Sequence, residues 1–393
     1  MDILFVCPFG LAPKYTTRGR ALPLAHALAC RGHHVRVLIP PWDHPADSGR
    51  RFVQDGVLVE HVELPVRIPG IAHAAIVWRM LRAVLRSHSH VIHIFKPKGY
   101  AGCVASVLWY LQRLGIIGAR LVLDTDDWEG AGGWNERGGY NMLARRLFAW
   151  QERWGLTHCD AVTVASSTLQ SLAWAHGVHR VRHVPNGLIT LSTPISRELA
   201  RSQLDLDKRS MVALVYTRFV EIGADHLAEL LHGLTERIPS LRVLIVGRGF
   251  RNELSRLQER LQVLIQGGCV RLEGWVEPGR LPLYWSAVDF ALYASEDNLL
   301  TRAKSPLRLV EMMGAGLPIA AHGVGEVQFY LEDRISGLVV APGDDQAFVN
   351  AAVRLAESGN LRTRLGENAR TRSGKHFLWR DLAQTVEELY DAL

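Results

Sequence analysis

Three cations crowd one short stretch of this chain. They are Arg302, Lys304 and Arg308, in and just before Lys304–Pro318, KSPLRLVEMMGAGLP. The spacing predicts a loop running into a short helix. Ser305 serves as N-cap, Pro306 sits in the first turn, and Leu309, Met312 and Met313 form one apolar stripe. Gly316 and Pro318 stop the helix. A helix start already carries about half a positive charge, so cations there are unfavourable unless an anion docks among them. Unpaired N–H groups together with cations make a seat for phosphate or diphosphate. The plain alternative is a solvated loop, with Arg308 paired to Glu311 three residues on.

Composition narrows the classes. A chain of 393 residues points to two domains, and 48% hydrophobic with 21% charged residues is enough to bury large cores. A net charge of +6 is too modest to argue for nucleic acid, although it suits anionic ligands or an anionic membrane surface. The five cysteines, Cys7, Cys30, Cys103, Cys159 and Cys269, show no paired short spacing. Neither a disulfide framework nor a zinc site is expected, which fits a reducing cytoplasm. The start MDILFVCPFG reads as a buried strand, not as a signal peptide. No apolar run reaches transmembrane length without charge. Ile71–Leu85 carries Arg79 and Arg82, and Ala101–Ile117 carries Gln112 and Arg113. Ile71–Leu85 has two readings, a helix packed on a sheet and a basic amphipathic helix at a membrane, and the first is preferred.

The elements that must position these residues alternate. Asp2–Cys7 reads as a strand, followed by a loop with Gly10, Pro13, Thr16, Thr17 and Gly19, then a helix over Ala21–Arg31 and a strand over Val35–Ile39. That is the opening of a doubly wound sheet, without the three-glycine dinucleotide fingerprint. Strands Val91–Phe95, Leu121–Leu123 and Ala161–Ala165 alternate with helices Gly99–Leu114, Asn141–Trp154 and Ser167–Ala175. After the turn Pro185-Asn186-Gly187, residues 188–209 lack periodicity and read as a linker. The alternation restarts at Val212–Tyr216 and runs to a final helix over Trp379–Leu393. The fold class is α/β, with two Rossmann-like doubly wound halves.

With both halves in view, the chain resembles the nucleotide-sugar-dependent glycosyltransferases of the GT-B fold, family 4 (group 1) type. The resemblance rests on RGRALPLAHALACRGHHV, VPNG, YTR, LIVGRG, LEGWV, VDFALYAS, KSPLRLVEMMGAGLPIAAHGVGE and GLVVAPGDD. It implies two domains facing across a cleft: residues 1–187 on the acceptor side and 210–375 binding the nucleotide sugar. Residues 376–393 form a helix that crosses back to the first domain. Glu311 matches the glutamate that accepts hydrogen bonds from the ribose hydroxyls, and Arg218 in YTR matches the arginine that holds the diphosphate. The lysine that usually follows is missing from Phe219-Val220-Glu221-Ile222-Gly223. Lys304 and Arg308, with the backbone of the donor-binding turn Ser305-Pro306-Leu307, are expected to replace its charge. Gly247 and Gly249 let backbone approach the nucleotide. Trp275 either stacks on the base or lies in the core. Gly10 and Gly19 flank the loop that meets donor phosphate or acceptor.

Further departures concern the chemistry. Retaining members often carry a second glutamate before Glu311, but Ala303 stands eight places earlier. Glu296 or Asp297 either supplies the missing carboxylate or is a solvated loop charge. In Asp124-Thr125-Asp126-Asp127-Trp128-Glu129-Gly130, Asp126-Asp127 replaces a His-Asp pair common in the acceptor cleft. A carboxylate there can orient or deprotonate the acceptor hydroxyl. These acids otherwise cap a helix or bind Arg145-Arg146, and Asp124 with Asp126 imitates a metal-binding pair. Lys96 and Lys98 read as solvated loop lysines or as a seat for an acceptor phosphate, and His93 as core.

The expected function is transfer of a hexose from a UDP- or GDP-sugar to a hydroxyl of a sugar or lipid-linked acceptor, with retention of configuration, in glycan or glycolipid synthesis. No cofactor, metal or nucleic acid is expected, and the place is the cytoplasm, peripheral to the inner membrane face in one reading. A non-hydrolysing sugar-nucleotide epimerase and an inactive binding protein are the rivals.

Overall fold

The computed structural model describes residues 1–12, 14, 16–66 and 71–393. Pro13, assigned to the first loop from sequence, lies outside them. The chain divides into two compact units, one of Met1–Ile189, Ala303–Ser305 and Trp379–Leu393, the other of Thr190–Arg302 and Pro306–Leu378.

The first unit is built on eight strands: β1 (Asp2–Val6), β2 (His34–Ile39), β3 (Arg51–Gln54), β4 (Val57–His61), β5 (Val91–Phe95), β6 (Arg120–Thr125), β7 (Ala161–Val164) and β8 (Val181–His183). Their order is β3-β4-β2-β1-β5-β6-β7-β8, parallel except for β3 against β4. The central strands are continuous apolar runs because helices cover both of their faces. The hairpin β3–β4 was not anticipated. Its turn is Asp55-Gly56, with φ of 50° and 81°, and both residue types tolerate that left-handed backbone. The helix expected over Ala21–Arg31 begins earlier, as a π-helical turn at Thr17–Ala21 that feeds a helix over Leu22–Cys30. Gly19 therefore lies inside a helical turn and not in a loop. The helix Trp379–Asp391 packs on Leu22–Cys30 and shares one core with it, Leu382, Val386 and Leu389 meeting the cluster of Leu24 and Leu28. Helices Ile71–Leu85, Tyr100–Arg113 and Met142–His158 pack side by side as a group of their own.

The second unit holds six parallel strands: β9 (Met211–Tyr216), β10 (Leu241–Val246), β11 (Val270–Gly274), β12 (Phe290–Tyr293), β13 (Ile319–His322) and β14 (Leu338–Val340), in the order β11-β10-β9-β12-β13-β14. Residues 188–209 are more than a linker. They include a helix over Arg197–Gln203 whose buried Arg201 donates to the carbonyls of Asp207, Lys208, Ser210 and Ala287 and pairs with Asp289 at 2.9 Å. Five donors in a rigid fork let one arginine satisfy all of these acceptors. Helices Asp345–Glu357 and Gly359–His376, which the sequence reading passed over, complete the unit.

Each sheet reverses strand order at one place, between β1 and β5 in the first and between β9 and β12 in the second. Loops leaving the carboxyl ends of strands at such points are where doubly wound folds hold ligands.

Candidate functional site

In the first unit, the loops after β5 and β6 build a nest of buried charge. Lys96 adopts a φ of 56°, and its N–H donates to the Asp124 carbonyl at 2.7 Å, which turns the side chain toward the acids after β6. Its ammonium lies 2.9 Å from Asp127, 3.1 Å from Asp126 and 3.5 Å from Glu129, while Lys98 donates to Glu129 at 2.7 Å. Both lysines are buried. They are neither solvated nor left to seat a phosphate by themselves, as the sequence reading had it, because each is spent on carboxylates. The acids do not bind Arg145 either, whose Nε donates to the Tyr140 carbonyl.

The adjacent acids are driven apart in proton affinity. Burial raises Asp126 above the ordinary carboxylate value, with Lys96 opposing and Asp127 and Asp124 adding to the rise. Burial also pushes on Asp127. There the charges of Lys96 and Lys304, with hydrogen bonds from Lys96 and Trp134, outweigh it and leave the group below its ordinary value. Burial works against the Lys96 charge too, but Asp126, Asp127 and Glu129 outweigh it and hold the ammonium well above its usual value. Two neighbouring carboxyl groups with opposite shifts are an arrangement suited to acid–base work. Thr16 donates to Asp126 at 2.9 Å.

Beneath the nest lies a second layer that sequence reading missed. Arg20 and Asp124 form a buried bidentate pair at 2.6 and 2.7 Å, and Arg20 also donates to Asn186 at 3.1 Å. The Thr163 hydroxyl donates to Asp124 at 2.7 Å, so it accepts from His93 Nε2 at 3.1 Å. That leaves His93 Nδ1 to accept from the Tyr390 hydroxyl at 2.6 Å. His93 is core, as expected, and burial lowers it to about 4. Glu152 is fully buried and accepts from Thr125 at 2.7 Å, its other oxygen having no hydrogen-bond partner among the described residues, and burial raises it to about 8. A lone acid on the same helical face as Leu156 was the available signal for it. Lys14, over the rings of Phe9 and Trp42 at 4.2 Å each, is lowered to about 8, first by burial.

The expected crowding of cations at one helix start does not occur. The helix begins at Leu307, after Pro306, and has no side-chain cap. Ser305 is not its N-cap. Its hydroxyl accepts from Asn186 N–H and its carbonyl from the Asn186 side chain, both at 2.8 Å. Ala303–Ser305 group with the first unit, where the Lys304 charge acts on Asp127. Arg302 grips Asp297 at 2.5 and 2.7 Å on the surface, so Asp297 is an ion-pair partner here. Glu296 braces the loop after β9, accepting from Gly223 N–H at 2.8 Å.

In the second unit, residues from the loops after β9 and β12 come together at the switch point. Arg308 lies 5.1 Å over the Tyr216 ring and 3.8 Å from Glu221, and Tyr216 hydrogen-bonds Glu311. Burial lifts Glu311 to about 7, against the pull of Arg308 and Tyr216. Arg218 stacks on Phe250 at 4.4 Å. The residue after Arg218, buried Phe219, carries a φ of 58°, the kind of backbone strain that collects at binding loops. Gly247 and Gly249 are tight within the chain as well: a Cβ on Gly247 would strike the Thr217 carbonyl and one on Gly249 the Glu253 side chain. Trp275 is 68% exposed, which rules out the core reading. Among the described residues, no group of three or more His, Cys, Asp or Glu is placed to hold a metal ion.

A doubly wound pair of domains, with charge gathered at the strand ends, is the GT-B class of architecture. Two family models match the chain, Glycosyl transferase 4-like domain over residues 17–187 and Glycosyl transferases group 1 over residues 196–372. The chain belongs to the group 1 glycosyltransferase family, with a 4-like first domain. It is similar to the lipopolysaccharide core biosynthesis glycosyltransferase LpsE of Rhizobium meliloti, 29% identical over 42% of this chain and 46% of that protein. It is also similar to the D-inositol 3-phosphate glycosyltransferase of Streptomyces griseus, 26% identical over 54% of this chain and 46% of that one. The chain thus spans about half the length of these relatives. In fold it is similar to sucrose-phosphate synthase of Thermosynechococcus elongatus, with TM-score 0.74, 21% identity and 100% and 98% of the two chains covered. It is likewise similar to Anabaena HepE in complex with UDP, with TM-score 0.73, 16% identity and both chains fully covered.

Proposed function

We propose that this protein transfers a hexose from a UDP- or GDP-sugar to a hydroxyl of a sugar or lipid-linked acceptor, with retention of configuration. The observation that carries this reading is the grouping of Arg308, Tyr216 and Glu311 around the second sheet's switch point, with Arg218 on the same loop as Glu221. Arg218 and Arg308 meet the diphosphate, helped by the N-terminal turn at Leu307. Glu311 accepts from the ribose hydroxyls, and exposed Trp275 and Phe250 offer faces to the base. Cleavage of the bond from anomeric carbon to diphosphate oxygen leaves the electron pair on the diphosphate, where these cations receive it. In the first unit, the Asp126–Asp127 pair orients the acceptor hydroxyl and takes its proton. The likeness to HepE, whose structure holds UDP, favours uridine as the base, and the relative named for lipopolysaccharide core synthesis favours a glycan acceptor. Transfer runs without a bound metal in this reading, so chelator leaves the rate unchanged.

Thermal stabilisation by UDP, GDP, ADP and their sugar conjugates tests the donor site. A ligand at about a hundred times its dissociation constant adds about 2.7 kcal/mol. One nucleotide should raise Tm, and Arg218→Ala and Glu311→Gln should each abolish the rise. If no nucleotide does so, the donor assignment fails.

A further inference from the structure

The helix Met142–His158 is amphipathic in the wrong direction. Its inward residues include Gln151, Glu152, Gly155 and Leu156, with Gln151 bonded to both backbone groups of Gly99. Outward, at helical spacing, stand Leu143, Leu147 and Trp150, which are 73%, 44% and 50% exposed. Arg146 and Arg153 share that outward stripe. An amphipathic helix on a soluble domain turns its apolar stripe inward, and a contiguous apolar stripe turned to water marks an interaction surface.

Helix Tyr100–Arg113 packs on it and helix Ile71–Leu85 on that one in turn, and both carry exposed aromatic residues. Tyr110 on Tyr100–Arg113 is 58% exposed and Trp78 on Ile71–Leu85 is 63% exposed. Trp109 joins the first two helices, edge-on to Trp154 at 5.8 Å, with Arg113 lying 5.2 Å over its ring. Charge on the three helices is of one sign. They carry Arg79, Arg82, Arg113, Arg145, Arg146 and Arg153, and a single carboxylate, Glu152, which is fully buried. At the margin, Glu63 meets Arg79 at 3.6 Å and Asp160 is held by Gln112 at 2.7 Å.

We propose that this face docks on a membrane leaflet that carries anionic lipid headgroups. Exposed Trp and Tyr rings match the interfacial zone, where an amphipathic ring is half wet, and arginines among them match the anionic surface. No helix among the described residues is long and apolar enough to cross a membrane, so the contact is peripheral. A second copy of the chain is a poor occupant. Two-fold pairing of this face sets arginine against arginine, with Glu63 at its margin already engaged by Arg79.

Flotation with vesicles tests this, and it requires no donor, acceptor or turnover. It therefore fails or succeeds apart from the transferase reading. The full chain should float with vesicles of phosphatidylcholine and phosphatidylglycerol, stay behind with phosphatidylcholine alone, and be released by salt. An arginine near such a surface is worth about fivefold in partition, so Arg146→Gln with Arg153→Gln should lower binding on the order of twentyfold. Leu147→Ser with Trp150→Ala should weaken it as well, with unchanged circular dichroism and Tm as the check on folding. Three results overturn the proposal: no flotation, equal flotation on neutral lipid, or a concentration-dependent dimer that the same substitutions dissolve.

Discussion

Two carboxyl groups raised by burial make this protein's chemistry readable by pH. Glu311 stands near 7, so it is half protonated at neutral pH. Only the ionised form accepts from both ribose hydroxyls. Nucleotide affinity should therefore fall as pH drops below about 7, and titration calorimetry of the parent protein through that pH should show it; an affinity flat through about 7 would show that Glu311 does not titrate there. Glu152 works on stability. Its value is about 8 in the folded chain against an ordinary 4.5, so the folded state holds the proton more tightly. The resulting stabilisation is full below the unfolded value and is lost as pH rises through the folded one, at about 1.4 kcal/mol per unit in between. Glu152→Gln should raise Tm relative to the parent by a margin that grows from pH 5 to pH 8. A margin independent of pH would show that Glu152 is not protonated in the fold. Glu311 could be picked out from its motif. Glu152 could not, because its acidity depends on burial under Thr125, and no spacing in the sequence encodes that.

Elements decide which residues support the nest. The terminal helix Trp379–Asp391 supplies Tyr390 to His93, and Glu387 to Arg31 and to His33, the latter at 2.7 Å. It also sets buried Trp379 5.8 Å from the Arg20 guanidinium. A line of hydrogen bonds then runs from Tyr390 through His93 and Thr163 to Asp124 and Arg20. Tyr390→Phe leaves the buried His93 Nδ1 without a donor, at a cost of about 1–3 kcal/mol. Calorimetry should show it as a lowered first-unit transition. An unchanged transition would place no weight on this chain of bonds. A final helix over Trp379–Leu393 was legible and its return to the first domain was expected from the resemblance, but its partner Leu22–Cys30 was not, since nothing local links positions more than three hundred residues apart.

The whole molecule places its two ends in one unit, since Met1–Ile189 and Trp379–Leu393 share a core. A fragment of residues 1–189 exposes the apolar face that the terminal helix covers. It should bind a hydrophobic dye and lose a cooperative melt, and fusing residues 376–393 to it should restore both properties. A fragment that melts like the intact first unit would show that the helix is dispensable. Charge follows the same division of labour. The net +6 is not one diffuse field, because Lys96, Lys98, Arg20 and Arg201 are consumed by buried acids while the arginines of the outer helices face water.

The sequence by itself determined the α/β alternation, both sheets' central strands, and the stretches that hold Arg218, Glu311 and the acids after β6. These follow from apolar runs, helical period and turn residues, all of which are local. Only the tertiary structure decided which charges meet. It took Lys304 and Ser305 away from their own helix, gave Arg302 to Asp297, spent Lys96 on Asp126 and Asp127, and turned Leu143, Leu147 and Trp150 outward. Pairing across the fold is set by burial and by which loops share a strand end, and neither is written in the spacing of residues along the chain.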